Sequence, residues 1–240
     1  MSTRKEESRP RPASPEAADT VRVGLIGKGI QRSKSPAMHE AEAAAQGFRC
    51  VYELIDLDER GVDINALPGL LSEAEERGFA GVNVTYPCKQ AVIPLLTGLS
   101  DEARAIGAVN TVHFEPGART GYNTDAWGFA ESFRRGLGDA SLERVAQIGA
   151  GGAGAATGYA MLGLGARHLR IFDVDLDRAT SLVRSLVRHF PDREISAVDE
   201  IEEAVGDAQG LVHATPTGMA SHRGSAVPAT LLRPDLWVAD

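Results

Sequence analysis

The feature that most constrains the fold is a glycine-rich loop in the second half of the chain. The loop Gly149-Ala150-Gly151-Gly152-Ala153-Gly154 fits the pattern G-x-G-x-x-G. A predicted strand, Arg144–Ile148, precedes it, and an alanine-rich helix is predicted to follow it as far as Leu164. Small residues at such a turn let the backbone approach a pyrophosphate, whose charge is stabilised at the helix N-terminus. The loop therefore predicts a Rossmann dinucleotide-binding unit; the alternative is a tight turn that binds nothing.

Acidic residues follow this loop at the place where a ribose would bind. A dinucleotide fingerprint needs an acid about twenty residues after the glycines, at the end of the second strand, and Asp173 ends the predicted strand His168–Val174. Asp175 and Asp177 add negative charge that would repel a 2′-phosphate, so the sequence favours NAD over NADP, with NADP possible. Arg178 lies one turn into the next predicted helix and could meet such a phosphate. The alternative is an aspartate-rich turn that only caps this helix, and the two roles are compatible.

Composition excludes several other classes of protein. The chain has 240 residues, 43% of them hydrophobic, which suits one large or two small globular domains. A net charge of −8 without a basic stripe argues against nucleic acid, and no apolar run approaches the roughly 20 residues of a membrane span. Residues 1–20 are charged and rich in Ser and Pro, which predicts a disordered tail. With only two cysteines, a disulfide framework is not expected and the cytoplasm is the default location.

Strands and helices alternate along the chain after this tail, which predicts an α/β protein. Strands are expected over residues 21–26, 49–57 and 79–84, helices over 35–45 and 67–77, and a hairpin over 109–122. We expect an N-terminal α/β substrate domain with a mostly parallel sheet, followed by the Rossmann domain. The predicted division is 1–20 tail, 21–124 substrate domain, 125–141 linking helix and 142–240 Rossmann domain.

Polar side chains occur where the predicted strands of the first half end. Asn83 and Thr85 share one face of a strand, and Lys89 follows one helical turn later. Ser33 and Ser35 come after the first strand. Because ligands of open α/β sheets collect at the carboxyl ends of the strands, we expect these side chains to lie at one edge.

Asn110 and Asp125 complete this predicted constellation. Its hydroxyls, amides, amine and carboxylate suit a polyhydroxylated acid, and the six histidines lack metal-ligand spacing, so no metal is predicted. Each residue also has an ordinary alternative: Ser35 is a good helix N-cap, Asn83 a turn former and Lys89 a surface charge.

Six motifs in one order resemble the shikimate/quinate dehydrogenase family. They occur in the family's order and spacing across nearly all of the chain after the tail, and the segment Gly27–Ile30 is most similar to the actinobacterial quinate/shikimate branch. The motifs are Ser33–His39, Asn83–Lys89, Gly107–Thr111, Gly121–Asp125, the glycine loop and Ala214–Met219.

The resemblance implies an activity and assigns roles to residues. The activity is reversible, nicotinamide-dependent oxidation of the 3-hydroxyl of shikimate or quinate, in aromatic amino-acid biosynthesis or quinate catabolism. Lys89 is implied as the catalytic acid/base and Asp125 as its partner. Substrate-binding positions are implied at Ser33, Ser35, Asn83, Thr85 and Asn110. Cofactor-binding positions are the glycine loop, Asp173, Arg178, Thr215, Pro216 and Met219.

The resemblance also bears on substrate choice. Family members that take quinate well tend to have threonine at the position of Ser35, so this serine favours shikimate.

The chain departs from the family pattern in three places. Gly29–Arg32 replaces the family's Pro-Ile-x-His/Ser, His213 replaces an asparagine, and the family continues into C-terminal helices that carry a substrate-binding glutamine. The last departure predicts a fragment or truncated chain. A small-molecule substrate is the expected partner, and the chain is expected to be a monomer or a homodimer.

Two rival interpretations remain open at this point. Another two-domain dehydrogenase with a catalytic lysine, such as a methylene-tetrahydrofolate dehydrogenase, would need an aromatic pteridine pocket, and only 5% of the chain is aromatic. A non-catalytic family member or inactive fragment would bind nucleotide without turnover. Cys88, although adjacent to Lys89, is interpreted as structural because no histidine pairs with it in the sequence.

Overall fold

Two β-sheets, each flanked by helices, form the part of the chain that the computed structural model describes, residues 20–219 and 222–240. The predicted tail therefore lies outside the described residues, apart from Thr20, which begins the first strand. The first sheet contains β1 (Thr20–Gly27), β2 (Arg49–Asp56), β3 (Gly81–Val84), β4 (Gly98–Leu99), β5 (Thr111–Glu115) and β6 (Ala118–Tyr122). Its strand order is β2-β1-β3-β5-β6-β4.

The register of the first sheet brings the predicted site residues to one edge. Strand β1 pairs in parallel with both β2 and β3, so that Gly27, Asp56 and Val84 end neighbouring strands side by side. Strand β5 runs antiparallel to β3 and places Thr111 opposite Asn83. The helices of this half are α1 (Ser35–Ala45), α2 (Leu67–Glu76), α3 (Cys88–Ala91) and α4 (Asp101–Ile106).

The second sheet is parallel throughout and has the strand order of a Rossmann domain. It consists of β7 (Arg144–Ile148), β8 (His168–Phe172), β9 (Glu194–Val198), β10 (Gly210–His213) and β11 (Trp237–Ala239), arranged β11-β10-β7-β8-β9. Chain order reverses between β7 and β10, which creates the crevice where ligands of such sheets bind. The helices of this half are α5 (Asp125–Leu137), α6 (Gly152–Leu164), α7 (Leu176–His189) and α8 (Ile201–Val205).

A shared hydrophobic core holds the two halves in place. Ile106 and Ala108, from the end of α4, are fully buried in the cluster that contains Met161 and Leu162 of α6. Helix α5 packs along α6, and α4 contacts both α6 and α7. The core of the second half therefore includes residues from the end of α4 in the first half. The α/β fold expected from the sequence is confirmed.

Some elements differ from the sequence-based expectation. The third strand begins at Gly81 rather than Phe79, and the short elements α8 and β4 were not expected, since segments of five and two residues carry too little periodicity. Ser35 is the first helical residue of α1; the N-cap is Lys34, which makes no side-chain capping bond. Within the described ranges, no helix combines the length and apolar character needed to cross a membrane.

Candidate active site

Lys89 and Asp125 form an ion pair where the two halves of the fold meet, with Lys89 against Gly152 of the glycine loop. Nζ of Lys89 donates to Oδ2 of Asp125 over 2.7 Å. The lysine belongs to the short helix α3 after β3, and the aspartate is the first residue of α5. Their side chains are 17% and 33% exposed, so the pair is partly withdrawn from water yet can be reached by a ligand. Lys89 is therefore not the ordinary surface charge that was the alternative for it.

Asn110 fixes the orientation of the Asp125 carboxylate. Its Nδ2 donates to Oδ1 of Asp125 and to Oγ1 of Thr124, both over 2.8 Å, and its Oδ1 accepts from the amide of Thr124 at 3.1 Å. The amide of Asp125 in turn donates to Oδ1 of Asn123 at 3.0 Å. Both carboxylate oxygens of Asp125 thus have defined partners, Lys89 at Oδ2 and Asn110 at Oδ1. These bonds hold the carboxylate in one orientation and thereby restrict the position of the lysine amine.

Asn83 lies inside β3, so the alternative of a turn former does not describe it. Its Nδ2 donates to Oγ1 of Thr111 at 3.0 Å and to the carbonyl of Asn110 at 3.3 Å. Its Oδ1 accepts a 2.8 Å hydrogen bond from the hydroxyl of Tyr52. Burial raises the pKa of Tyr52 to about 12, against the opposing effect of a hydrogen bond with Ser35, so this hydroxyl stays protonated and available as a donor.

Ser33 and Ser35 are brought together at the start of α1. Oγ of Ser33 donates to Oγ of Ser35 at 3.1 Å and accepts from the amide of Ser35 at 3.2 Å. Thr85, which follows β3, packs against the end of β1: its methyl group fills the space beside Gly27, where an added Cβ would lie 2.3 Å from it. All five predicted substrate-binding residues therefore occur along the carboxyl edge of the first sheet.

A buried carboxylate, Asp56, holds the loop that leads to these serines. The side chain of this residue, which is 2% exposed, accepts from the amides of Gly29 and Ile30, both at 2.9 Å, and from Nε2 of Gln31 at 3.1 Å. Burial alone would raise the pKa of the Asp56 carboxyl, but the hydrogen bonds from Gln31 and the loop amides outweigh it and hold the pKa below its usual value. The segment that departs from the family's Pro-Ile pattern is thus fixed by this carboxylate.

Three glycines of the glycine loop have contacts that leave no room for a side chain. Gly149 has φ +109°, and an added Cβ would lie 2.5 Å from the carbonyl oxygen of Ala214. A Cβ on Gly154 would lie 2.2 Å from the carbonyl oxygen of Gly149, and one on Gly152 only 2.7 Å from Cβ of Lys89. Gln147, fully buried beneath the loop, donates to the carbonyls of Gly149 and Gly154 at 3.0 and 2.9 Å.

The remaining predicted cofactor residues surround this loop. Asp173 directly follows β8, and Arg178 lies in α7, where it pairs with Asp175 at 3.2 Å. Oδ1 of Asp175 accepts from the amides of Asp177 and Arg178, which confirms the helix-capping interpretation for Asp175.

Thr215, Pro216 and Met219 follow β10 on the other side of the crevice. His213, at the end of that strand, contacts Oγ1 of Thr215 through Nε2 at 2.6 Å and Oδ1 of Asp240 through Nδ1 at 2.7 Å. The histidine that replaces the family's asparagine therefore ties the Thr215 side chain to the last strand.

Comparison with known proteins decides the family. Residues 25–112 match the shikimate dehydrogenase substrate binding domain. A Streptomyces avermitilis protein named shikimate dehydrogenase (NADP(+)) is 54% identical over 92% of this chain and 77% of its own length. The chain belongs to the shikimate dehydrogenase family. A Corynebacterium efficiens protein named quinate/shikimate dehydrogenase (NAD(+)) is 42% identical over 92% of this chain and 79% of its own length.

Solved structures of this family have the same fold. The quinate dehydrogenase from Corynebacterium glutamicum in complex with NAD superposes with a TM-score of 0.79 at 42% identity, over 91% of this chain and 79% of that one. The shikimate 5-dehydrogenase of Thermus thermophilus in complex with NADP(H) and shikimate gives a TM-score of 0.74 at 35% identity, over 91% of this chain and 77% of that one. The two-domain α/β architecture expected from the sequence agrees with both.

Four residues around the site of this family member were missed by sequence reasoning: Tyr52, Asp56, Thr111 and Gln147. A tyrosine or glutamine inside a buried strand was a usable signal, because such polar groups need a partner.

Cys88 is fully buried, and burial raises the pKa of its thiol to about 11, which supports its structural interpretation.

Proposed function

We propose that the chain catalyses reversible, nicotinamide-dependent oxidation of the 3-hydroxyl of shikimate or quinate to the 3-dehydro acid. One observation carries the proposal: the hydrogen-bonded Lys89 lies directly against the glycine loop, so that even a Cβ on Gly152 would collide with it. Alcohol oxidation needs proton removal and hydride removal at adjacent atoms. A partly buried amine beside a dinucleotide loop meets that requirement.

The residues of the crevice fit a nicotinamide dinucleotide. The glycine loop brings its backbone to the N-terminus of the 13-residue helix α6, which favours a pyrophosphate. Close contacts at Gly149, Gly152 and Gly154 leave no room there for a Cβ. We assign cofactor binding to the loop residues Gly149, Ala150, Gly151, Gly152, Ala153 and Gly154, with Asp173, Arg178, Thr215, Pro216 and Met219. Bound there, the cofactor supplies the hydride acceptor for alcohol oxidation and the hydride donor for ketone reduction.

The side chains of the first domain then divide the remaining work. Nζ of Lys89 takes the proton of the 3-hydroxyl during oxidation and returns it during reduction. Asp125 orients the amine by its 2.7 Å hydrogen bond, and Asn110 holds Asp125 in turn. The carboxylate and other hydroxyls of the substrate are assigned to Ser33, Ser35, Asn83, Thr85 and Asn110.

We also propose the domain division 21–124, 125–141 and 142–240. The end of β6 at Tyr122, the start of α5 at Asp125 and the packing of α5 on α6 support it.

A cytoplasmic location is also part of the proposal, and the two free cysteines support it. We further propose that the protein is a monomer or a homodimer and that its partner is a small-molecule substrate.

Turnover and binding measured together test this proposal. Reduced nicotinamide formation is followed by absorbance with shikimate and with quinate, and binding of each acid is measured by titration calorimetry with cofactor present. We expect at least one acid to be oxidised, while cyclohexanecarboxylate, which has the carboxylate but no hydroxyl, gives no turnover. Binding of NAD and acid without oxidation of either substrate would instead support a non-catalytic family member.

A further inference from the structure

Hydrogen bonds connect Tyr52 to the Lys89–Asp125 pair without a break. From the hydroxyl of Tyr52 onward, each side chain contacts the next at 2.8 to 3.0 Å. Two members, Tyr52 and Thr111, have no role in the reaction proposed above. In order, this polar chain runs from Tyr52 through Asn83, Thr111 and Asn110 to Asp125.

The charge of Asp125 sets the direction of every bond in this polar chain from Tyr52 onward. A carboxylate can only accept, so Asn110 must turn its amide nitrogen to Asp125 and its oxygen to Thr111. The amide of Thr124 donates to that same oxygen, which fixes the same orientation.

The remaining directions follow from this one. Because Thr111 donates to Asn110, its oxygen accepts from Nδ2 of Asn83. The carbonyl of Asn83 is left to accept from the hydroxyl of Tyr52. Donation therefore runs from the aromatic hydroxyl to the carboxylate that holds Lys89.

The surroundings keep the Tyr52 hydroxyl in place. The residue is 6% exposed, and its ring stacks on that of His39 with 4.8 Å between centroids and 19° between planes. In a site of low dielectric constant, hydrogen bonds aligned in one direction polarise and strengthen one another.

We propose that Tyr52 and Thr111 are positioning residues that couple Asn83 at one end of this polar chain to the Lys89–Asp125 pair at the other. The inference rests on the proposed function, since it assigns Asn83 to substrate binding and Lys89 to the reacting hydroxyl. A substrate that contacts both ends then binds to one prearranged unit. Loss of either link lets the two ends adopt their orientations separately and weakens binding of the acid.

Substitutions that remove single polar groups test this coupling. Tyr52→Phe removes one hydroxyl, Thr111→Val removes the other at nearly constant volume, and Thr111→Ser restores it. Tyr159→Phe is the matched control, because that ring packs on Phe190 behind the second sheet. Each variant and the double variant Tyr52→Phe/Thr111→Val are characterised by kcat, by KM for the acid and by melting temperature.

We expect Tyr52→Phe and Thr111→Val each to raise KM about three- to tenfold, the size of one lost hydrogen bond, with kcat changed less. Thr111→Ser and Tyr159→Phe should stay within about twofold of wild type. The double variant should lose no more than the worse single variant, because both break the same polar chain. A fall in melting temperature with KM unchanged, or a double variant equal to the product of the singles, would overturn the inference. If wild-type protein oxidises neither acid, the proposed function itself fails; if it does and KM is insensitive, only the coupling fails.

Discussion

The carboxylate of Asp173 accepts a hydrogen bond from the backbone amide of Ala150, with 2.7 Å between Oδ2 and the nitrogen. Its other oxygen accepts from the amide of Asp175 at 3.0 Å. Asp173 thus joins the end of β8 to the glycine loop after β7, and it places negative charge where Rossmann domains bind the ribose of a dinucleotide. In the proposed cofactor site, this charge would lie next to the 2′-phosphate that distinguishes NADP from NAD.

We predict a higher kcat/KM with NAD than with NADP, because Asp173 and the capping Asp175 repel a 2′-phosphate. Arg178 limits this preference, although its guanidinium is already paired with Asp175. Asp173→Asn keeps the shape, removes the charge and should narrow the ratio between the cofactors, whereas Asp192→Asn on the exposed loop before β9 should leave it unchanged. A wild-type preference for NADP, the cofactor named for the Streptomyces avermitilis relative, would refute the argument from Asp173.

Substrate choice should depend on Ser35. Its hydroxyl is hydrogen-bonded to that of Ser33 at the start of α1, so an added methyl group changes the space available beside this serine pair. We predict that the wild-type protein prefers shikimate and that Ser35→Thr shifts the shikimate-to-quinate ratio of kcat/KM towards quinate, by at most about 1–3 kcal/mol. Quinate as the better wild-type substrate, together with an unchanged ratio in the variant, would show that this residue does not discriminate.

Acid should destabilise the protein through Asp56. Its pKa is lowered in the folded state, so its stabilising effect is complete above the pKa of an unfolded aspartate, about 3.9, and is lost as pH falls through the folded pKa. We predict that the free energy of unfolding falls below about pH 4 and that Asp56→Asn lowers it at neutral pH while making it less dependent on acid. Denaturant titration across this range measures both effects.

Asp58→Asn is the control for this measurement. Asp58 is a neighbouring exposed carboxylate whose pairing with Lys28 spans 3.6 Å. Its replacement should change stability by about 0.5 kcal/mol or less. Equal losses in the two variants would contradict the account of the loop that Asp56 holds.

The sequence predicted which residues gather at the site better than it predicted how they are connected. Ser33, Asn83 and Lys89 could be placed together because parallel strands bring their carboxyl ends to one edge. Tyr52 and Asp56 could not be placed, since their partners depend on the register of β1, β2 and β3, which local patterns leave open. The alternation of strands and helices likewise predicted both sheets, whereas elements as short as α8 carried no detectable period.

The most direct test of the central claim is the kcat of Lys89→Ala with shikimate and with quinate, measured beside wild type and beside Lys28→Ala, an exposed lysine of the same protein. General acid–base groups contribute about 10²–10⁴-fold, so we predict a loss of that size in kcat, with a much smaller change in substrate binding and no loss in the control. Asp125→Asn should lose less, because the carboxylate orients the amine without exchanging the proton. A Lys89→Ala variant that keeps its fold and turns over within twofold of wild type would contradict the assignment of Lys89 as the catalytic acid/base.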